Sequence, residues 1–62
     1  MELSRQIKNY RNKKALSQDE LAEKVFVSRQ TISNWENDKS YPDVESLILL
    51  SEVFEVSLDQ LI

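Results

Sequence analysis

Residues 16–42 of the chain read LSQDELAEKVFVSRQTISNWENDKSYP. Ser17 and Ser28 each stand before apolar residues at helical spacing, and serine is a preferred residue at the N-cap of a helix. Ser17 with Glu20 also forms the S-x-x-E pattern of a capping box. The first of these helices ends near Val25, shortly before Ser28 begins the second. The stretch therefore predicts two short helices joined by a tight turn.

The rest of the chain predicts three more helices, because apolar residues recur at intervals of three and four without strand-like alternation. One precedes the quoted stretch and ends near Lys13 and Lys14, one begins at Pro42 and Asp43, and a last turn follows a second capping box. The positions expected to face inward are Leu3, Ile7, Tyr10, Leu21, Ala22, Val25, Ile32, Trp35, Val44, Leu47, Leu50 and Phe54. We expect an all-α, compact five-helix bundle in one domain, residues 1–62, with its helix-turn-helix at about 17–37.

The composition excludes several kinds of site. The 62 residues include no Cys and no His, so neither disulfides nor thiolate or imidazole metal ligands are available. A Gly-rich phosphate loop is also excluded, since the chain has no Gly. The longest aliphatic run, residues 47–50, is far shorter than a membrane span. We expect no enzyme, cofactor, metal, membrane partner or small-molecule ligand, and a cytoplasmic location.

Charge is distributed unevenly along the chain. The net charge is −3, which by itself disfavours a nucleic-acid partner. All eight Lys and Arg residues lie in positions 1–39 together with six acids, whereas positions 40–62 hold five acids and no base. The part of the molecule formed by positions 1–39 could therefore contact phosphate, with the acidic positions 40–62 facing away from it.

The quoted stretch resembles the DNA-binding module of the phage repressor and Cro family, also called the xenobiotic-response-element family. The pattern SQxELAxxxxVSRQTISxWE carries the resemblance, and EVSLDQLI at the end of the chain extends it. It implies a bacterial or phage-encoded, nucleoid-associated transcriptional repressor that binds double-stranded DNA with its third helix in the major groove. The residues implied to contact bases are Arg29, Gln30, Ser33 and Asn34.

The resemblance also implies phosphate contacts at helix N-termini and just beyond the recognition helix. The residues concerned are Ser17, Gln18, Ser28, Thr31, Asn37 and Lys39. Thr31 has an alternative, since it could touch a thymine methyl or only brace the helix. Tyr41 could reach phosphate or pack its loop, and the sequence does not choose between the two. Lys13 and Lys14 are better explained as a solvated helix end than as phosphate contacts. Trp35 is better explained as a core residue than as one that stacks on a base.

Two further features follow from the resemblance. Arg11 is implied to pair with Glu36, which would tie the first helix to the end of the recognition helix. Many relatives have Gly where this chain has Phe26 and Asp38, at positions whose backbone tends to be left-handed. A bulky residue in that conformation costs about 1 kcal/mol or more, so Phe26 either carries strain or belongs to a different turn.

Leu49, Val53 and Val56 lie at helical spacing beside the predicted inward face of the fourth helix. They either extend the core around this helix or form a two-fold interface of a homodimer. A homodimer would place two recognition helices about 34 Å apart on a palindromic operator. The main alternative function is a protein-protein interaction or antitoxin-like module on the same fold, which the acidic net charge favours.

Overall fold

A computed structural model of the chain describes residues 2–62. These residues form five α-helices and no strand: α1 Glu2–Lys13, α2 Gln18–Lys24, α3 Arg29–Glu36, α4 Val44–Phe54 and α5 Leu58–Leu61. The bundle measures 25 × 21 × 20 Å, and the predicted all-α five-helix fold is confirmed. None of the described helices has the length and apolarity needed to cross a membrane.

Four of the helices begin at a side chain that caps them. Ser17, Ser28, Asp43 and Ser57 each accept a hydrogen bond from the backbone N–H three residues later. Both predicted capping boxes are formed, and the second joins Ser57 to Gln60. The cap lowers the pKa of Asp43 because its carboxylate accepts the N–H of Ser46. These contacts fix where α2, α3, α4 and α5 start.

The core is a single cluster to which every helix contributes. Its buried members are Leu3, Ile7, Leu21, Ala22, Val25, Ile32, Trp35, Leu50, Phe54 and Leu61. The prediction that Val44 faces inward is wrong, because its side chain is 72% exposed. At 100° per residue Val44 lies about 120° around α4 from Leu50, which takes it off the buried stripe.

Four helices end in the same backbone conformation. Ala15, Phe26, Asp38 and Glu55 have φ between 57° and 61°, and each directly precedes a residue whose N–H bonds the carbonyl five positions back. This is the six-to-one bond of the Schellman motif, in which Gly is the usual left-handed residue. Of the two alternatives, Phe26 therefore adopts the left-handed conformation and not a different turn, and its ring is 81% exposed.

Replacing Phe26 by Gly is expected to stabilise the domain by about 1 kcal/mol, because Gly adopts a positive φ without the clash of a Cβ atom. Phe26→Ala is the matched control, since it removes the exposed ring but keeps the Cβ atom. Urea unfolding of both variants measures the difference. Equal stability of the two variants would show that the backbone at this turn is not strained.

Candidate nucleic-acid interface

The orientation of α3 is set by two buried side chains. Ile32 is fully buried and Trp35 is 3% exposed, and α3 packs against both α1 and α2. The opposite side of α3 therefore faces outward. Of the predicted base-contacting residues, Arg29 and Gln30 are exposed, while Ser33 and Asn34 are half-buried. All four residues thus lie on α3, two on its solvent-facing side and two at the edge of that side.

A buried carboxylate, Glu36, holds the C-terminal end of α3. Arg11 donates from Nε to Glu36 Oε2 at 2.7 Å and from Nη2 to Glu36 Oε1 at 3.1 Å. The side chains of Arg11 and Glu36 are only 12% and 4% exposed. Arg11 Nη1 also donates to the carbonyl of Leu16, in the loop between α1 and α2, at 2.9 Å. The arginine therefore satisfies three acceptors at once and links α1, this loop and α3.

Gln18, the first residue of α2, belongs to the same network. Its Nε2 donates to Glu36 Oε1 at 3.2 Å, so Glu36 receives hydrogen bonds from two other helices. Sequence reasoning assigned Gln18 to phosphate and Arg11 to Glu36 but missed the contact between Gln18 and Glu36. No local pattern reveals that contact, because the two residues are eighteen positions apart. The N-terminus of α2 is thereby held in register with the C-terminal end of α3.

The polar side chains on α3 are hydrogen-bonded to one another in separate groups. Gln30 Nε2 donates to Asn34 Oδ1 at 3.0 Å, one helical turn further on. Asn37 Nδ2 donates to the carbonyl of Ser33 at 2.8 Å and to its Oγ at 3.3 Å. Within residues 2–62, Arg29 has no hydrogen bond or ion pair, so its guanidinium is available to a ligand.

The residues predicted to contact phosphate differ in how free their polar atoms are. Ser17 and Ser28 use their Oγ as helix caps, and the Ser28 and Thr31 hydroxyls lie 3.0 Å apart. Asn37 directs its amide back to its own helix, so it must turn outward to reach a phosphate. Lys39 is exposed, immediately after the left-handed residue that ends α3.

Two lysines at the end of α1 have partners within the protein. Lys14 Nζ lies 2.6 Å from Glu55 Oε1 and links the end of α1 to the end of α4. This lysine, by hydrogen bond and by charge, lowers the pKa of Glu55. Lys13 Nζ lies 5.4 Å from the centroid of the Tyr10 ring, within cation–π range. Tyr41 is exposed on the loop before α4.

The predicted stripe on α4 is half-buried. Leu49, Val53 and Val56 all pack against the core cluster, which is the arrangement expected if the core extends around this helix. A different set of large apolar side chains is exposed on α4, on α5 and at the C-cap of α5: Val44, Ile48, Leu58 and Ile62. Sequence reasoning missed this set, although Val44 and Ile48 are four residues apart and so share one helix face.

Positions 40–62, which include α4 and α5, hold five acids and no base. Asp43, Glu45, Glu52, Glu55 and Asp59 all belong to α4, α5 or the residues that cap them. In contrast, Glu36 is the only acid in α3, and it is paired with Arg11. Among the described residues, no group of acidic side chains is arranged to hold a metal ion. The net negative charge therefore comes from positions 40–62, the part of the chain that follows α3.

Comparison with known proteins identifies the family. The chain belongs to the helix-turn-helix family, whose pattern matches residues 7–61. Among solved structures, it is similar to the nuclear magnetic resonance structure of the DNA-binding domain of the P22 c2 repressor, with a TM-score of 0.92 and 33% identity. That match covers 98% of this chain and 80% of the other. The predicted resemblance to phage repressors is confirmed.

Two curated relatives are transcriptional regulators. The HTH-type transcriptional activator BcrR of Enterococcus faecalis is 44% identical over 62 residues, which are all of this chain and 30% of BcrR. The HTH-type transcriptional regulator ImmR of Bacillus subtilis (strain 168) is 37% identical over 62 residues, or 49% of its length. The chain thus spans half or less of the length of these two relatives.

Arg11→Ala is expected to lower the free energy of unfolding by about 3–5 kcal/mol, because it leaves the buried carboxylate of Glu36 without its charge partner. Lys13→Ala removes a neighbouring cation whose contact with Tyr10 contributes about 1 kcal/mol or less. Urea unfolding of the two variants measures the difference. Equal losses of stability would contradict the role given to Arg11.

Proposed function

We propose that this chain is a sequence-specific DNA-binding domain of a transcriptional regulator, which reads the major groove of double-stranded DNA with α3. The observation that carries the proposal is the exposed polar side of α3, opposite the buried Ile32 and Trp35. The network around Glu36 holds that side in a fixed position relative to the N-terminus of α2. The similarity to the P22 c2 repressor domain supports this reading.

The side chains on α3 suit the donor and acceptor pattern of the major groove. The unpaired guanidinium of Arg29 can donate two hydrogen bonds to O6 and N7 of guanine, and an amide such as that of Gln30 can pair with N6 and N7 of adenine. Ser33 and Asn34 lie at the edge of the same surface. These residues give α3 the chemistry for direct base recognition.

Phosphate binding is assigned to neutral donors, helix N-termini and Lys39. The first N–H groups of a helix have no acceptor within the helix, and they carry the positive end of its dipole. At the start of α2 these groups lie beside Gln18, whose amide nitrogen is already oriented by Glu36. Phosphate contacts of this kind need little excess positive charge, which reconciles the proposal with a net charge of −3.

Repression by occupying an operator is the proposed mode of regulation, because a DNA-binding domain can perform it without another activity. BcrR is named an activator, but most of its length lies outside the part that matches this chain. The proposed location is the bacterial cytoplasm, at the nucleoid. The proposed action requires no catalysis and no cofactor.

A homodimer on a palindromic operator completes the proposal. We favour the exposed apolar residues of α4 and α5 as the interface, because Val44 and Ile48 expose more surface to solvent than the half-buried Leu49 and Val53. Packing this surface against a second copy would remove apolar area from water. A two-fold axis there would give each operator half-site its own recognition helix.

Selection of bound duplexes from a random pool tests DNA binding directly. We expect a consensus sequence, and affinity that falls as salt rises, because counterions are released from phosphates. Lys39→Ala is expected to reduce the slope of log affinity against log salt by about 1 per chain, without changing the consensus. If no DNA sequence is enriched, even at low salt and high protein concentration, the result would instead favour the alternative that the domain binds another protein.

The proposed dimer is tested by introducing a charge on each face of α4. Ile48→Glu is expected to abolish two-fold binding to a palindromic duplex in sedimentation experiments, leaving one protein per half-site, because a buried unpaired carboxylate opposes association. Leu49→Glu is the matched control on the neighbouring face. If Leu49→Glu alone separates the subunits in a still folded protein, the interface is the one that the sequence indicated.

A further inference from the structure

We propose that Asn34 is a positioning residue for base recognition, which acts by orienting the side-chain amide of Gln30 towards adenine. This inference rests on the proposed function and goes beyond it, because it makes the two residues one reading unit. The observation is the hydrogen bond of 3.0 Å from Gln30 Nε2 to Asn34 Oδ1 on the outward side of α3.

The hydrogen bond uses only part of the capacity of each amide. A glutamine side chain has two N–H donors and a carbonyl oxygen with two lone pairs. Recognition of adenine needs the oxygen, to accept from N6, and the N–H on the same side as that oxygen, to donate to N7. The other N–H remains available for Asn34. Gln30 can therefore contact Asn34 and adenine simultaneously.

Orientation matters because a free glutamine side chain can present either end of its amide to a base. With the amide reversed or rotated, its donor and acceptor no longer match adenine and can match other bases. Gln30 is exposed, whereas Asn34, one helical turn further along α3, is half-buried and so more restricted. The bond to Asn34 lowers the conformational entropy that Gln30 loses when it binds DNA.

The same hydrogen bond determines which polar atoms of Asn34 remain available to bind DNA. Its Oδ1 is engaged by Gln30, while both hydrogens on its Nδ2 are free within the described residues. Asn34 therefore presents donors to the groove, which suit acceptors such as O6 and N7 of guanine or O4 of thymine. Ser33, another polar residue at this face, is bound separately by Asn37.

The test begins with Gln30→Ala and selection of bound duplexes from a random pool. The position in the consensus that loses its preference for adenine in this variant is the base pair that Gln30 contacts. At that position we expect wild type to prefer adenine by about tenfold or more. Asn34→Ala is expected to reduce this preference to about threefold or less, although Gln30 is still present. In the double variant the two effects should not add, because both changes disable one unit.

Two further variants separate orientation from other effects. Asn34→Asp retains an oxygen that accepts from Gln30, so it should preserve the adenine preference at this position while total affinity falls from added negative charge. Asn9→Ala is the matched control, because it removes an exposed amide on α1, outside the proposed DNA interface. It should leave the preference for adenine unchanged.

The outcomes distinguish this inference from the proposed function. A consensus in which Asn34→Ala leaves the adenine preference at the Gln30 position intact overturns the positioning role, while DNA recognition itself stands. A consensus with no adenine preference at the Gln30 position does the same. If folded wild-type protein enriches no DNA sequence, both the proposed function and the joint role of Gln30 and Asn34 are overturned.

Discussion

The buried carboxylate of Glu36 is the group on which the arrangement of the first three helices depends. It accepts two hydrogen bonds from Arg11 and one from Gln18, with its side chain only 4% exposed. A carboxylate in this position is costly unless its partners are in place, so helices α1, α2 and α3 must dock together. Such a group favours one relative arrangement of the helices over similarly compact alternatives. In this fold, that arrangement is the one that presents the polar side of α3.

The chain achieves this geometry with a thin core and without any Gly. A domain of 62 residues buries only about 60% of the surface that its unfolded chain exposes. Side-chain caps and hydrogen bonds between helices therefore supplement the packing of the core. Four non-glycine residues in left-handed conformation end four of the helices, each at a cost of about 1 kcal/mol. The contacts Ser4–Asp38 and Lys14–Glu55 connect two of these ends to neighbouring helices.

Much of the fold could be predicted from local chemistry, because capping boxes and apolar spacing act within one or two turns. The same reasoning placed Val44 inward, because Val44 and Leu47 are three residues apart. Residues at that spacing are still about 60° apart around a helix, so Val44 lies off the buried stripe. The family resemblance pointed to Phe26 and Asp38 as positions where the backbone tends to be left-handed and left a different turn open for Phe26, whereas Ala15 and Glu55 carry no residue-type signal for a positive φ. The contacts Gln18–Glu36 and Lys14–Glu55 join distant positions and depend on packing. The pair Gln30–Asn34 is spaced four apart and could have been identified as a helical neighbour pair.

The central claim is that the polar side of α3, held by Glu36, enters the major groove. Intermolecular nuclear Overhauser effects between the labelled protein and a duplex containing its selected sequence measure this most directly. We expect contacts from the side chains of Arg29, Gln30 and Asn34 to major-groove base protons and thymine methyl groups. Contacts that come mainly from α4 or α5, or that reach only minor-groove protons, would contradict it.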